Sequence, residues 1–400
     1  MSNTIQVTQK MARASAAILK EKFPLFTQFS REGEGEFGQV TNFSNTGDTI
    51  RIRVPALSAV GSTADITSLS GDVTEGSVNL TLNILKNTRQ SLTSKELTYD
   101  ANEFQKTNFG QGVAQVGEGV QNAMFGILDG KVANTVVTTS DSSTDWLYAR
   151  SKLTRGIAPM MGRSGVVEPN ASVRLSNDLF NQMTTSKDEV ITEGFLGKVF
   201  GADFFEVASG GVVVNGSKTA SVTISGSHAG YASTGTIKLG GLTSGDTFKK
   251  GQVFTIAGVH GVNPLSGAST GVLRDFVITT DATATGATLE ISVFPELKVG
   301  VAGYINALPA ASAALTFVGA AGETLTNSYL FHKDAARVAF GVLETHNAGK
   351  GYSLKADGFG VRVQMGSDIL TDVNTTRVDV LAGIAVLRPD WICKVTKVTA

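Results

Sequence analysis

The residues that could carry out chemistry are few in this chain, and the pattern that looks most like an active site fails in its context. Gly33-Glu-Gly-Glu-Phe-Gly-Gln-Val40 fits the glycine-rich pattern of dinucleotide sites and of protein-kinase nucleotide loops. A kinase also needs a lysine on the following strand, where this chain has Arg51 and Arg53, and it needs His-Arg-Asp and Asp-Phe-Gly motifs, which are absent. A dinucleotide loop follows a strand, whereas a helix ended by Pro24 comes first here. We interpret the segment as a flexible acidic link.

The other candidate residues also lack the partners that chemistry requires. Gly216-Ser-Lys-Thr219 does not have the Gly-Lys-Ser/Thr order of a phosphate-binding loop. The lone Cys393 and four histidines without metal-ligand spacing argue against zinc; the histidines are His228, His260, His332 and His346. Neither His332-Lys-Asp334 nor Cys393 forms a catalytic set, because adjacent residues point in different directions and Cys393 lies in an apolar strand. The sequence therefore predicts no catalytic, cofactor-binding or metal-binding residue, and no enzyme.

The composition excludes several classes of function. Lys plus Arg number 34 and Asp plus Glu number 35, so the net charge is −1 and the chain is not a strongly basic nucleic-acid binder. Hydrophobic residues make up 42% of the chain, enough for a sizeable core in two or three domains. Charged residues make up only 17%, and the cores of protein interfaces are depleted of charge. These values favour a folded subunit that gives much of its surface to neighbours.

The sequence also indicates where the chain is made. A single cysteine allows no internal disulfide, which fits synthesis in a reducing compartment. The start, Met1 to Thr4, lacks the charged and then apolar residues of a secretion signal. The longest uncharged run, Val299 to Gly322, contains Asn306 and Pro309 and is rich in alanine and glycine. We therefore expect no membrane-spanning segment.

The N-terminal elements predict an arm and an extended finger. Thr8 to Lys22 is a basic amphipathic helix that stops before Pro24; it is either a solvated helix or an arm that grips a neighbour or an acidic partner. Thr49 to Val54 and Val78 to Ile84 alternate apolar and polar residues, as strands do. Between them, Pro55 to Ser77 has few large apolar side chains. Because two strands cannot build their own core, we expect this finger to lie on another subunit.

A long helix is predicted from Ser94 to about Val137, with apolar residues at helical spacing. It is interrupted by Gly110, Gly112, Gly117, Gly119, Gly126 and Gly130. Each glycine costs roughly 0.5–1 kcal/mol relative to alanine, so we expect tertiary packing to compensate, with close backbone approach as one means. The mixed region that follows is predicted as a helix at Trp146 to Met161, a strand at Ser172 to Leu175, a helix capped by Ser176, and strands at Asp203 to Val207 and Val212 to Val214.

The residue pattern of the sequence changes at about Ser217, and the mixed helix and strand pattern returns after Gly322. Short β-type runs separated by Gly, Ser, Asp and Pro turns fill this interval: Ser221–Ile224, Thr236–Leu239, Val253–Ile256, Phe276–Thr279, Leu289–Val293 and Leu315–Val318. Short strands at such spacing predict a small barrel or sandwich. An all-β module inside a mixed chain indicates a domain insertion.

Two C-terminal segments carry a family resemblance. Asn327-Ser-Tyr-Leu-Phe-His-Lys-Asp-Ala-Ala336 and Arg377-Val-Asp-Val-Leu-Ala-Gly-Ile-Ala-Val-Leu-Arg-Pro389, the latter with a short final strand after it, resemble recurring segments of tailed-bacteriophage major capsid (coat) proteins. The order of the parts resembles the Hong Kong 97 capsid fold. The insertion resembles that of short-tailed phage coat proteins, in which Thr247 to Gly258 would form one strand pair of the barrel.

The resemblance implies an α+β fold of the Hong Kong 97 type with an inserted all-β barrel. It divides the chain into residues 1–44 as N-terminal arm, 45–93 as extended loop with flanking strands, 94–140 as spine helix of the peripheral domain, 141–216 as axial domain, 217–322 as inserted barrel, and 323–400 as axial return with closing peripheral strands. The closing strand is expected to rejoin the peripheral region.

The resemblance also implies a function and partners. The chain would self-assemble, as hexamers and pentamers, into an icosahedral shell around the double-stranded DNA of a tailed phage, with non-specific DNA contact and no membrane. A separate scaffolding protein would be one partner, because the N-terminal part of the chain lacks a built-in scaffold. A portal would be another partner. It would be made in the host cytoplasm and reside in the virion. Some relatives cross-link subunits through a lysine in the extended loop; Pro55 to Ser77 contains none, so we expect no cross-link of that kind. The alternatives are a tail-tube or decoration protein, or a related nanocompartment shell protein.

Overall fold

The computed structural model describes residues 3–23, 25–32, 34, 40–41, 44–45, 47–54, 76–182, 198–264, 266–299, 303–345, 351–356, 358–368 and 370–398. The loop between the two finger strands, most of the Gly33–Val40 segment and His346 lie outside these residues. The helices are α1 (Asn3–Lys22), α2 (Leu25–Gln28), α3 (Ser94–Asp129), α4 (Ser143–Arg155) and α5 (Pro169–Gln182).

The strands, in chain order, are more numerous than the helices. They are β1 (Val40–Thr41), β2 (Ser44–Asn45), β3 (Thr49–Val54), β4 (Gly76–Thr81), β5 (Ile84–Thr93), β6 (Thr135–Thr138), β7 (Arg163–Val167), β8 (Lys198–Val199), β9 (Ala202–Glu206), β10 (Gly211–Val214), β11 (Thr223–Ile224), β12 (Thr236–Gly240), β13 (Thr247–Phe248), β14 (Val253–Val262), β15 (Ser269–Ile278), β16 (Ala282–Thr283), β17 (Thr288–Phe294), β18 (Leu315–Phe317), β19 (Thr324–His332), β20 (Ala336–Gly341), β21 (Gly351–Ala356), β22 (Phe359–Asp368), β23 (Val373–Val386) and β24 (Ile392–Lys397). This mixture confirms the α+β class.

The chain forms two compact units. The first comprises Met1–Ile52, Ser77–Met124 and Ala336–Ala385, and the second comprises Arg53–Gly76, Phe125–Ala335 and Val386–Ala400. The first contains a five-stranded sheet of order β20-β23-β22-β21, with β5 also paired to β23. Helix α1 packs on β21 and β22. Its apolar face (Ala12, Ala16 and Leu19) is buried, as the helical spacing predicts.

In the first unit, two glycines of α3 lie where neighbouring side chains pack closely against the helix. A Cβ atom at Gly117 would come within 2.7 Å of Leu19 Cδ2 and closer still to the ring of Phe23. On another face, a Cβ at Gly112 would lie 3.3 Å from the side chain of Thr88 on β5. The predicted compensation by packing is therefore confirmed: α3 gives up helix propensity at these positions, and α1 and β5 lie against it.

A seven-stranded sheet organises part of the second unit. Its order is β6-β24-β19-β7-β9-β8, and β10 also pairs with β19. The core contains the fully buried Trp146 and Leu153 of α4, Leu175 of α5, and Leu330 of β19. A capping box at Ser142 and Asp145 begins α4, which satisfies backbone N–H groups that a helix start leaves without partners.

The same unit contains the inserted barrel. Six strands have the order β11-β12-β17-β15-β14-β18. The sheet closes on itself, because Thr223 bridges Ala314 and the backbone N–H of Leu315 donates to the carbonyl of Val222 at 2.9 Å. Closure removes exposed strand edges. Alternate residues such as Phe254 and Phe276 fill the interior and are fully buried, which confirms the predicted barrel.

Several local expectations are wrong. Ser172 to Leu175 is not a strand and Ser176 is not a cap, because both lie inside α5. The predicted helix from Trp146 to Met161 ends at Arg155. The spine helix ends at Asp129, before the β-branched run Thr135–Thr138, which pairs in parallel with β24.

Three expected strand arrangements also differ from the structure. Thr247 to Gly258 is not one strand pair, since β13 pairs with β16 while β14 pairs with β15 and β18. The predicted strand Val78 to Ile84 is divided between β4 and β5. The final strand β24 pairs with β19 and β6, so it lies in the seven-stranded sheet and not with β5.

Candidate functional site

The residues that suggested chemistry make contacts within the local structure. Cys393 on β24 is fully buried, and burial raises the pKa of its thiol to about 12. His332, at the end of β19, has Nε2 2.9 Å from the carbonyl oxygen of Met161, and burial lowers its pKa. Nε2 of His228 accepts a hydrogen bond from the backbone N–H of Lys238 at 3.1 Å, and burial lowers the pKa of His228 as well. These contacts are those of structural residues.

Other motif residues are equally occupied in local structure. Nδ1 of His332 lies 3.7 Å from the carboxylate of Asp334, which is half exposed. At Gly216 to Thr219, the backbone N–H of Ser217 donates to Thr247 Oγ1 and Ser217 Oγ accepts from the backbone N–H of Thr247. Within the described ranges, no group of three or more His, Cys, Asp or Glu residues could hold a metal ion. In those ranges no helix is long and apolar enough to cross a bilayer.

A buried polar cluster joins the end of α3 to β19 and β24. Asp129 Oδ1 accepts hydrogen bonds from Asn327 Nδ2 at 2.7 Å and from Tyr329 Oη at 2.8 Å. Lys394 Nζ lies 3.9 Å from the same carboxylate oxygen and 3.4 Å from the Asp129 carbonyl oxygen. Thr396 Oγ1 donates to Asn327 Oδ1 at 2.6 Å. All five side chains are nearly inaccessible to solvent.

Burial controls the charge of this cluster. Desolvation lowers the pKa of Lys394 and raises that of Asp129, and their mutual attraction only partly opposes it. Desolvation and the neighbouring Asp129 carboxylate raise the pKa of Tyr329. An ion pair taken out of water must recover a large hydration cost, so burial shifts the pKa of the amine and that of the carboxyl towards their neutral forms.

Two part-buried ion pairs fasten the barrel to α4 and to the turn before β24. Lys152 on α4 pairs with Asp275 on β15, and Asp275 also accepts the backbone N–H of Thr135 at 3.1 Å. Arg274, the preceding residue, pairs with Asp390 at 2.5 Å. The two bridges come from adjacent residues of β15, and their four residues line one depression. We call this pair of bridges the barrel clamp.

The base of the predicted finger is anchored within the first unit. Leu80 on β4 is buried against Ala339 on β20 and Ala385 on β23, with Ile52 of β3 packed beside them. A Cβ at Gly383 would meet the carbonyl carbon of Thr81 at 3.0 Å, so the strand β4 approaches β23 too closely for a side chain. The pair β3–β4 therefore starts from a fixed base.

An exposed apolar surface lies on α4 and the loop that follows it. We call it the α4 surface: Leu147, Tyr148, Ile157, Met160 and Met161, of which Met161 is 86% exposed. Leu147 and Met160 line a shallow depression together with Arg150 and Arg155. Exposed clusters of large apolar side chains with Arg at their edge are typical of protein interfaces.

Sequence reasoning missed the buried polar cluster and the barrel clamp. The available signal for the cluster was polar residues at alternate positions of apolar strands, Asn327 and Tyr329 in one strand and Lys394 and Thr396 in the other. Residues two apart in a strand share a face. The pairing of those two strands, which brings the four together, is not visible in the sequence.

Comparison with known proteins connects this architecture to a family. Residues 204–394 match the family described as "P22 coat protein - gene protein 5". These residues include the barrel, β19 and the first half of β24. No curated protein sequence matches the chain.

Three of the solved structures with a similar chain path come from phages. One, from Mycobacterium phage Che8, has a TM-score of 0.46 and 11% identity and covers 92% of this chain and 89% of that chain. The capsid of Ralstonia phage GP4 gives 0.44 and 11%, with 93% and 87% covered. The acid-stable capsid of Helicobacter pylori bacteriophage KHP30 gives 0.43 and 10%, with 88% and 85% covered. Within this α+β chain, the segment from 204 to 394, which contains the inserted barrel, is therefore similar to a phage coat protein family.

Proposed function

We propose that this protein is a tailed-phage major capsid protein, which assembles through hexamers and pentamers into an icosahedral shell that encloses double-stranded DNA. The observation that carries the proposal is the coat-protein match over residues 204–394. The finger strands β3 and β4 support it, because they form a two-stranded sheet and such a sheet has marginal stability unless something covers it. In a shell, a neighbouring subunit would cover these two strands.

The mechanism is packing between copies rather than catalysis. Segments that gain order on a neighbour make each contact in a closed ring dependent on the others, so association strengthens when the ring closes. The α4 surface supports this mechanism, since Tyr148 and Met160 are more than half exposed and can be buried against another copy. We infer that the protein has no enzymatic activity, which agrees with the buried state of Cys393 and His332.

Further partners and the domain layout belong to the same proposal. The partners are a separate scaffolding protein, a portal and packaged DNA; the net charge of −1 favours loose, non-specific contact with DNA. The host cytoplasm is the proposed site of synthesis. Residues 94–140 would form the peripheral spine, 141–216 with part of 323–400 the axial domain, and 217–322 the insertion.

Electron microscopy of the purified protein, with and without its scaffolding protein, tests this function. We expect closed shells of uniform diameter when the scaffold is present. Tubes or isolated trimers would instead favour a tail-tube or decoration protein. Shells that enclose a cargo enzyme would favour a nanocompartment.

A further inference from the structure

The buried polar cluster has the composition of a reaction centre. It contains an amine (Lys394), a carboxamide (Asn327) and a carboxyl group (Asp129), all in a region closed to solvent. In the β19–β24 ladder, Asn327 faces Thr396 and Tyr329 faces Lys394. Lys394 is thus the diagonal neighbour of Asn327 on one face of the sheet, a separation that a lysine side chain can span.

The contacts of each group suit a reaction in which the amine of Lys394 replaces the side-chain amide nitrogen of Asn327. Thr396 Oγ1 donates to Asn327 Oδ1 at 2.6 Å, which draws electrons from the amide carbon and would stabilise the oxyanion of an addition intermediate. Asp129 Oδ1 accepts a hydrogen bond at 2.7 Å from Asn327 Nδ2, the nitrogen that would leave in the reaction. The same Oδ1 lies 3.9 Å from Lys394 Nζ, so one carboxyl group reaches both nitrogens.

The surroundings favour the reactive protonation states. Burial lowers the pKa of Lys394, which favours the neutral amine that can act as a nucleophile. Burial raises the pKa of Asp129, which favours a carboxyl group that can donate a proton. In the described part of the chain, Asp129 Oδ2 is buried without a hydrogen-bond partner, so this oxygen is available for proton transfer.

We propose that Lys394 and Asn327 join in an intramolecular isopeptide bond, with Asp129 as the proton-transfer group. The Nζ–Cγ bond forms and the Cγ–Nδ2 bond breaks. One hydrogen leaves Nζ and passes through Asp129 to Nδ2, which departs as ammonia. No oxidant, reductant or cofactor is consumed, and Asp129 ends in the state in which it began. The reaction occurs once per chain, so the protein modifies itself and turns over no substrate.

The bond would strengthen the seven-stranded sheet at its centre. It ties β19 directly to β24 and closes a covalent loop over residues 327–394, and a cross-link of this kind restricts the unfolded chain. It lies within one subunit and does not involve the extended loop. It therefore differs from the inter-subunit cross-link whose lysine is absent from Pro55 to Ser77.

Intact-mass measurement of the denatured full-length protein tests the proposal directly. We expect a mass lower by one ammonia than the sequence requires. Tryptic digestion should show no cleavage after Lys394 and one branched peptide that contains both Asn327 and Lys394. A chain that keeps its full mass after prolonged incubation of the folded protein at 37 °C would overturn the proposal, as would an ammonia loss that maps to other residues.

Variants separate the roles within the cluster. Lys394→Met removes the nucleophile and Asp129→Asn removes the proton-transfer group, and both should retain the full mass when folded. Lys397→Met is the matched control: Lys397 lies on the same strand but donates to the carbonyl of Thr139 outside the cluster, so this variant should still lose ammonia. If Asp129→Asn folds and loses ammonia as completely as the wild type, the role assigned to Asp129 is wrong.

Discussion

Gly117 is the residue that sets how closely α1 approaches α3. Gly117→Val places a branched side chain where Leu19 and the ring of Phe23 already lie. Because overpacking a filled site strains its neighbours, we expect a loss of about 1–3 kcal/mol in the free energy of unfolding. Urea unfolding of the monomer, followed by circular dichroism, measures this change.

The same helix provides a control for glycine itself. Gly126 is exposed, and a Cβ there would meet nothing within 4 Å. Gly126→Ala should therefore stabilise the protein by roughly 0.5–1 kcal/mol, since alanine restricts the unfolded chain and favours the helix. If Gly117→Val were tolerated as well as Gly126→Ala, the contact with α1 would not restrict the residue at position 117.

Cys393 permits a prediction about pH. The folded state holds its thiol pKa at about 12, above the ordinary value of 9.0, so at pH 8 the thiolate fraction should be about a thousandfold lower than in the unfolded chain. Because the unfolded thiol ionises first, its contribution to stability is complete below pH 9 and declines as the pH rises from there towards 12. The rate of labelling by a thiol reagent, with and without denaturant, checks this; equally fast labelling of the folded protein would contradict it.

The buried polar cluster could not be predicted from residue types. In the structure, His332 and Cys393 are buried in structural contacts. Asn327 lies in a segment with a family resemblance and Lys394 lies in the final strand, and no local pattern distinguishes either residue. Their importance depends on strand pairing between residues far apart in sequence, which no local pattern determines.

At the scale of elements, the alternation of apolar and polar residues predicted strands reliably where it recurred over many short runs. The barrel was predicted from six short runs because Gly, Ser, Asp and Pro turn residues separate them. In α5 the same reasoning failed on a segment of four residues. There Ala171, Leu175 and Leu179 are buried at intervals of four, and Pro169 begins the helix, both of which are helical signals.

The barrel clamp carries a prediction at this scale. Asp275→Asn would leave Lys152 with an unpaired charge at a site where its side chain is only 23% exposed. We expect a loss of about 1–3 kcal/mol in unfolding free energy, because a part-buried charge without its partner keeps its desolvation cost. Fluorescence of the buried Trp146, which lies on the same helix as Lys152, reports the transition in urea.

A surface pair supplies the matched control for the clamp. Lys198 and Asp203 lie 3.9 Å apart with side chains 72% and 53% exposed. Asp203→Asn should change the stability by less than about 0.5 kcal/mol, because water screens such pairs. If Asp275→Asn were equally mild, the clamp would not contribute to holding the barrel.

At the scale of the whole molecule, we expect the finger to be needed for assembly and not for the folding of one subunit. The finger strands are anchored at their base by Leu80 among Ala339 and Ala385, so the first unit does not need the segment between β3 and β4 in order to fold. That segment, residues 55–75, is rich in Ser, Thr, Gly and Ala and offers little apolar surface for a core of its own. We therefore expect the stabilisation it provides to come from contact with other copies.

Replacing residues 55–75 with a short Gly-Ser turn should therefore leave a folded monomer that forms no shells. The monomer should keep the circular dichroism spectrum and the unfolding midpoint of the parent, because the buried contacts of Leu80 remain. Inserting the same turn at Gly286, where a Cβ would meet nothing within 4 Å, is the control and should leave assembly intact. Negative-stain microscopy with scaffold present distinguishes the two. Normal shells from the replacement would refute the finger's role in assembly. An unfolded monomer would show instead that the segment serves the subunit's own fold, because a contact made only between copies cannot contribute to the stability of one copy alone.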